Sequence, residues 1–368
     1  MGEVTRQISF KKDFLPTLSV CMIVKDEEAN LKRLLPNLKS VVDELVIVDT
    51  GSSDKTKEVA LQFTDKVYDF EWCDDFSAAR NESLKYATKD YILWLDGDDH
   101  IAKQDIAILK FHLSRYPTTG VFLTLVDKRP DREFHSLQLR VFPNHKGLQF
   151  KGRIHEQISF DVENSGLQYS TCQVNIIHLG YDAPEAVEKK LYRNLDILKQ
   201  EIEENENDFK TILFTAKTLL GVGKTEEAKG YVDKAINLYK EGKAGMSKEN
   251  VFMAFLAKAT LLSIEGKPLE AINVLEEVKH DFYSDAMLSL TLGEMYFRQR
   301  MYSKAYSYLK VLKDGELKLG LQPIDTTNMI KNLTLLLVYS SLAVGDFDLA
   351  EVCIQRIMGD VEYKIQRG

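Results

Sequence analysis

The string "WLDGDD" sets Asp96, Asp98 and Asp99 around one glycine at the end of an apolar run. Carboxylates two residues apart across a glycine turn converge on a hard divalent cation, and Mg²⁺ or Mn²⁺ held this way keeps positions open for phosphates. A solvated acidic turn is the commoner meaning of an isolated DxD. A second apolar run, "ELVIVD", also ends in a carboxylate, Asp49, and opens "VDTGSSDKT". If both runs are strands of one parallel sheet, both acids stand at carboxyl ends, where open α/β sheets bind ligands.

The Asp-Thr-Gly-Ser string at Asp49 also suggests an aspartic protease, but that chemistry needs a second such motif to share the proton, and the chain has only this one. A dehydrogenase wants G-x-G-x-x-G after the first strand, where the sequence reads "VKDEEANL". A nucleoside diphosphate bridged by a metal remains, with Asp49 accepting from a ribose hydroxyl or a base N–H.

Further groups could complete such a site. In "DDFSAARNESLKYA", Arg80 is either a phosphate or base contact or half of a helix-surface pair with Asn81. "FKGRIHEQISF" reads as a strand with His155 and Glu156 on opposite faces, so only one can enter a cleft unless a bulge intervenes. Glu156 is the candidate general base, since a carboxylate partly withdrawn from water gains basicity; a salt-bridged surface glutamate is the alternative. His178, in the apolar strand "IIHLGY", is either a core residue or an imidazole ligand suited to Mn²⁺. Lys189, Lys190 and Arg193 follow, placed to close over a diphosphate or simply to face solvent.

The positioning elements can be read from periodicity. Up to about residue 180, short apolar runs (18–24, 44–49, 66–70, 91–96 and 120–127) alternate with helical patterns, the rhythm of a mostly parallel mixed α/β sheet. "SLQLRVF", "LQFKGRIHEQISF" and "TCQVNIIHLGY" then alternate apolar and polar residues as antiparallel edge strands do. From Pro184 nearly everything is amphipathic helix. A signature recurs in "GKTEEA", "GKPLEA", "RMYSKA" and "GDFDLA", whose alanines lie 43, 34 and 45 residues apart; the middle spacing is the tetratricopeptide period. The domains expected are an N-terminal extension over 1–17, an α/β domain over 18–183 and an all-α repeat domain over 184–368. The repeats serve either as a buttress or as a peptide groove.

A net charge of -8 argues against a nucleic-acid partner held by bulk electrostatics. Cys21, Cys73, Cys172 and Cys353 are scattered, with no CxxC pair, so reduced thiols in a cytoplasmic protein are expected. No apolar run approaches the ~20 residues of a membrane span, so no membrane insertion is expected.

The ordered blocks "CMIVKDEEANL", "IVDTGSSDKT", "WCDDFSAARN", "LWLDGDD", "RVFPNHKGLQFKGRIHEQ", "HLGY" and "KKLYRN" resemble the inverting, GT-A-fold glycosyltransferases of family 2, in the subgroup with a tetratricopeptide-like C-terminal region. Their layout also resembles the sublancin-type S-glycosyltransferases, which modify Cys or Ser of bacteriocin precursor peptides. The resemblance implies that Asp49 contacts the nucleoside with Glu27 and Arg80 nearby, that Asp96 lies by the ribose or diphosphate, that Asp98 binds Mn²⁺ or Mg²⁺ with His178 completing the coordination, and that Glu156 is the base. It departs from the family pattern at Asp26, where asparagine commonly precedes the glutamate. The implied reaction is one in-line displacement from a nucleoside-diphosphate sugar, UDP being the family's commonest nucleotide. The implied partners are that donor and a peptide or protein acceptor, with room for a homodimer. A transferase for a cell-surface or lipid-linked glycan, and a nucleotide-binding scaffold without turnover, are the competing readings.

Overall fold

The computed structural model describes residues 15–129, 132–158, 167–180, 184–242, 247–281, 286–313, 317–318, 324–358 and 365–366, so most of the expected N-terminal extension lies outside the described residues. The chain forms two compact units, one of residues up to Val126 with Gln138–Leu179, the other of Asp127–Leu137 with Gly180–Gly368.

In the first unit, β1 (Leu18–Val24), β2 (Glu44–Asp49), β3 (Val67–Asp69) and β4 (Tyr91–Asp96) run parallel, and β7 (Glu133–Pro143) continues the sheet antiparallel to β4. With β6 (Thr119–Lys128), β8 (Gln168–His178) and β5 (Asp99–His100), the strand order is β3-β2-β1-β4-β7-β6-β8-β5. The period of two assigns the faces. Leu18, Val20, Met22 and Val24 share a core with Leu31, Leu34 and Leu35 of α1 (Glu28–Lys39) and with Ile106, Leu109 and Leu113 of α4 (Lys103–Arg115). Cys21, Val46 and Ile92 point to the other side, where α3 (Phe76–Lys85) packs against β1 and β2. Register then fixes the chemistry: Val24 of β1 pairs with Asp49, and Ile23 pairs with Asp96. The two acids therefore flank the same end of β1, two strand spacings apart, or roughly 10 Å.

The helix that follows Ser53, α2 (Thr56–Ala60), is short; Lys55 is its N-cap and makes no side-chain cap bond, while Asp54 just before it accepts from the Thr56 N–H at 2.8 Å. One expectation needs correction. The segment around Glu156 is not a strand: it is a bend closed by one antiparallel bridge, Lys151 to Gln157, with His155 at φ 54°. Gly152 at φ 94° and His155 turn the chain too sharply for alternation to hold.

The second unit pairs α6 (Phe209–Gly221) with α7 (Thr225–Lys240), α8 (Lys248–Ile264) with α9 (Pro268–Val278), α10 (Ala286–Arg298) with α11 (Tyr302–Leu309), and α12 (Thr326–Val344) with α13 (Phe347–Ile357), all after α5 (Pro184–Glu204). Each pair closes in the same way. The amides of Lys224, Lys267, Met301 and Asp346 reach back five residues to carbonyls at 2.8 to 3.0 Å, and the residue before each has φ between 58° and 81°. This is a helix C-cap whose left-handed residue satisfies carbonyls that the helix end leaves over. The four signature alanines, Ala228, Ala271, Ala305 and Ala350, are buried beneath these turns. The expected fold class, an α/β domain with a mostly parallel mixed sheet followed by all-α helical repeats, is the one observed. No described helix is long and apolar enough to cross a membrane.

Three of the four closures use glycine at the left-handed position, and the third uses Arg300 at φ 58°. A Cβ is disfavoured there, so Arg300→Gly is expected to stabilise the repeat unit by about 0.5–1 kcal/mol, net of the extra freedom glycine gives the unfolded chain. Urea denaturation followed by far-UV circular dichroism checks this; a loss of stability would mean that the Arg300 side chain holds the turn.

Candidate active site

The loops after β1 and β2 are stitched together. Asp26, at φ 55°, accepts through Oδ1 from the Ser53 amide at 2.6 Å and the Ser53 hydroxyl at 3.0 Å. Glu27 N–H donates to Thr56 Oγ1 at 2.7 Å, and Glu28 N–H to Asp54 Oδ2 at 3.1 Å. An asparagine oxygen at position 26 could accept the same bonds, since only an acceptor is needed. The Glu27 side chain lies against the DxD turn: a Cβ on Gly97 would stand 2.7 Å from its Cγ. Only glycine lets the β1 loop approach the β4 loop this closely.

Asp49 is 4% exposed, and its Oδ1 accepts from the amides of Gly51 at 2.8 Å and Ser52 at 2.7 Å. Its Oδ2 is buried and accepts no hydrogen bond. A carboxylate oxygen withdrawn from water without a donor is costly, so this atom is set to receive an N–H or O–H from outside the fold.

Next to it, two arginines brace the DxD strand. Arg80, from α3, donates from Nε to Glu156 Oε1 at 2.6 Å and from Nη2 to Asp96 Oδ1 at 2.7 Å. Arg140, from β7, is 2% exposed and donates to Asp99 Oδ2 at 2.8 Å and Asp96 Oδ2 at 3.4 Å. The indole of Trp94 carries both cations, the Arg140 guanidinium 3.7 Å and the Arg80 guanidinium 4.4 Å from its centroid. Burial alone would push the Asp96 carboxyl up, but Arg80 and Arg140 outweigh it and hold the group well below the usual carboxylate range.

The "SAARN" segment also holds the Glu156 bend in place. Ser77 Oγ donates to Gly152 O at 2.6 Å, while Asn81 donates to Phe150 O at 2.9 Å and accepts from Phe150 N at 2.7 Å. Glu156 is nearly buried, and no described group donates to its Oε2.

On the other side of Asp96, β5 pairs with β8 so that Asp99 stands opposite His178. His178 Nδ1 lies 3.0 Å from Asp99 Oδ1 and 3.3 Å from Asp98 Oδ1, and ligand atoms of the three residues fall within 4.8 Å of one another. Burial works against charge on His178, but the Asp99 hydrogen bond and the charges of Asp98, Asp99 and Asp96 push the imidazole up to about 9. Burial raises the Asp98 carboxyl, with Asp96 and Asp99 adding to the rise and His178 opposing it. Asp99 Oδ2 is committed to Arg140 and to the Asp96 amide, which leaves Asp98 and His178 as the freer donors. Carboxylate with imidazole is a donor set that fits Mn²⁺ and, less readily, Mg²⁺.

The fold thus brings together Glu27, Asp96, Asp98, His178, Arg80 and Glu156, with Asp49 across β1. Arg193 lies on α5 in the helical unit, where it donates to Asn194 Oδ1 from Nη2 at 3.1 Å. Sequence reasoning passed over Arg140, Trp94 and the anchoring part of Asn81. The available signal for Arg140 was a cation inside the strand-like "SLQLRVF", next to a strand holding the only tryptophan besides Trp72.

Residues 19–172 match the family model described as glycosyl transferase family 2. This stretch, less than half of the chain, is similar to that family. The match contains Glu27, Asp49, Arg80, Asp96, Asp98 and Glu156, while His178 and Arg193 lie beyond its end. The chain is similar to the SPbeta prophage-derived glycosyltransferase SunS of Bacillus subtilis, at 26% identity over 63% of this chain and 56% of that one. It is also similar to a TPR repeat-containing protein of Synechococcus elongatus, at 35% identity over 38% of this chain and 35% of that one. The chain therefore spans about a third to somewhat over half of the length of these curated relatives. Among solved structures, glucosyl-3-phosphoglycerate synthase of Mycobacterium tuberculosis with Mg²⁺ and uridine diphosphate aligns with 48% of this chain and 79% of its own, at 16% identity and a TM-score of 0.37.

Proposed function

We propose that the chain transfers a sugar, with inversion, from a uridine-diphosphate hexose to a Cys or Ser side chain of a peptide or protein, of the kind represented by a bacteriocin precursor. The donor chemistry is assigned to residues 18–183 and acceptor selection to 184–368. The observation that carries the donor half is Asp49 Oδ2, a buried acceptor without a donor. Uracil offers N3–H to such an oxygen, whereas cytosine presents an acceptor at the same ring position. Asp98 and His178 would hold the divalent cation, whose charge compensates the departing diphosphate. Glu27, Asp96 and Arg193 would contact the nucleotide sugar.

Glu156 takes the acceptor proton on Oε2 while Oε1 stays on Arg80. The acceptor sulfur or oxygen forms its bond to the anomeric carbon as the carbon–oxygen bond to the diphosphate breaks, and the electron pair leaves with the nucleotide. One displacement inverts the centre. A thiol ionises near pH 8.5 and is already partly thiolate at neutrality, so it depends less on a base than a hydroxyl does. Glu156→Gln is therefore expected to slow transfer to a Ser peptide by about 10²–10⁴-fold and to the matched Cys peptide distinctly less. Equal losses on the two peptides would remove Glu156 as the base. On the donor side, UDP with Mn²⁺ at 100 times its dissociation constant is expected to stabilise the protein by about 2.7 kcal/mol, with CDP giving little. The same stabilisation in Asp98→Asn would exclude the cation site.

A further inference from the structure

Strand β8 carries one sheet edge that, among the described residues, only β5 begins to cover. β5 pairs with β8 only at Asp99↔His178 and His100↔Ile177, and the Leu179 N–H donates to Asp98 O at 3.1 Å in the same line. In an antiparallel strand, alternate residues send both N–H and C=O to the same side. The main-chain groups of Asn175, Gln173 and Thr171 therefore point to the edge that β5 begins to cover, and among the described residues no strand pairs with them there. An open edge of this length is a template for another strand, and proteins normally blunt it.

Beside this edge runs α4. Its inner face is accounted for by Ile106, Leu109 and Leu113, all buried in the core. Its flank toward β8 instead exposes Ile108 (47%), Phe111 (60%) and Tyr116 (54%). Between the flank and the edge lies a groove of about 570 Å³, walled by these side chains on one side and by Thr171 and Gln173 on the other. His112 Nε2 and Ser170 Oγ, 2.9 Å apart, tie the helix to the strand at one end. Arg115 stands in the same wall with its guanidinium 6.0 Å from the Phe111 centroid, and it has no ion-pair partner among the described residues. Among the described residues no Asp or Glu lines the groove.

We propose that this groove docks an extended peptide, which adds a strand to the β8 edge, sets an apolar side chain against Phe111 and Tyr116, and presents a carboxylate to Arg115. A helix beside an open strand is the arrangement in which main-chain bonds supply affinity and the helix side supplies selectivity. The occupant is assigned by charge: an unpaired guanidinium in an acid-free groove is complemented by an acidic segment. A second copy of the chain is a poorer occupant, because its own groove has no acid to offer Arg115. The edge from Thr171 to Asn175 spans roughly 14 Å, room for a strand of about five residues. The inference does not depend on the glycosyl-transfer reading.

The test pans a displayed library of random octapeptides against the full chain, then measures each enriched peptide, fluorescein-labelled, by anisotropy on wild type, Gln173→Pro and Arg115→Glu. Proline is tolerated on an edge strand where its missing N–H faces outward, so Gln173→Pro is expected to keep its melting temperature while weakening the peptide at least about tenfold. Arg115→Glu, a surface change, is expected to weaken acidic peptides by a similar factor and to spare a neutral analogue. Hydrogen exchange should slow in the 168–176 segment when the peptide is bound. No enrichment, or enriched peptides that bind both variants as tightly as wild type, would overturn the proposal. A wild-type dimer that Gln173→Pro dissolves would give the edge to a second copy instead.

Discussion

Arg140→Met is expected to lower the stability of the α/β unit by about 3–5 kcal/mol, the cost of leaving a buried carboxylate without its counter-charge. Methionine roughly keeps the volume, so the loss isolates charge and hydrogen bonding from packing. Asp99 is fully buried, and without Arg140 its Oδ2 keeps only the Asp96 amide. Asp96 keeps Arg80 but loses its second cation. Both tryptophans, Trp72 and Trp94, belong to this unit, so fluorescence during urea denaturation follows it alone. The double variant Arg140→Met/Asp99→Leu should recover a substantial part of the loss, because the uncompensated charge is then gone. A double variant no more stable than the single one would shift the explanation to the stack on Trp94.

Mn²⁺ binding is expected to strengthen about tenfold for each pH unit gained below the pKa of His178, because the ion must displace the imidazole proton. In the metal-free fold that pKa is about 9, against an ordinary value of 6.5. A raised pKa means that the proton stabilises the folded metal-free state fully below 6.5, and that this contribution disappears as pH rises through about 9. Metal and proton therefore exchange roles across that window. Calorimetric titration in two buffers of different ionisation enthalpy should find about one proton released per Mn²⁺ at pH 7. His178→Asn should flatten the pH profile and bind more weakly at pH 9. Binding without proton release would mean that His178 is not a ligand.

The strand ends were legible because apolar runs ending in aspartate have one simple meaning in a parallel sheet. Asp49, Asp96 and Asp98 followed from that pattern without any knowledge of side-chain contacts. The repeat signature was legible for a similar reason: each tight turn needs a left-handed residue and a small one beneath it, and both needs leave marks in composition. Glu156 was legible as a residue and misread as part of an element. Alternation in "FKGRIHEQISF" comes from a bend in which Ile154 and Ile158 are buried without a ladder, and only the contacts from Ser77 and Asn81 reveal what holds it. Arg140 was invisible for another reason. Its partners lie 41 and 44 residues away, and nothing local tells a cation that satisfies two buried acids from one that faces water.

The four identical closures divide the work within the helical unit. At the end of each pair where they lie, the chain is fixed residue by residue, since one inserted residue would break a backbone bond and lift an alanine out of the core. The unequal spacings of 43 and 45 against 34 are therefore absorbed away from these turns: the first by helix length, α7 and α8 running longer than α9 and α10, and the last by a longer link together with a longer α12. The turn end of each pair is thus fixed in register, and the far end is where this chain varies its length.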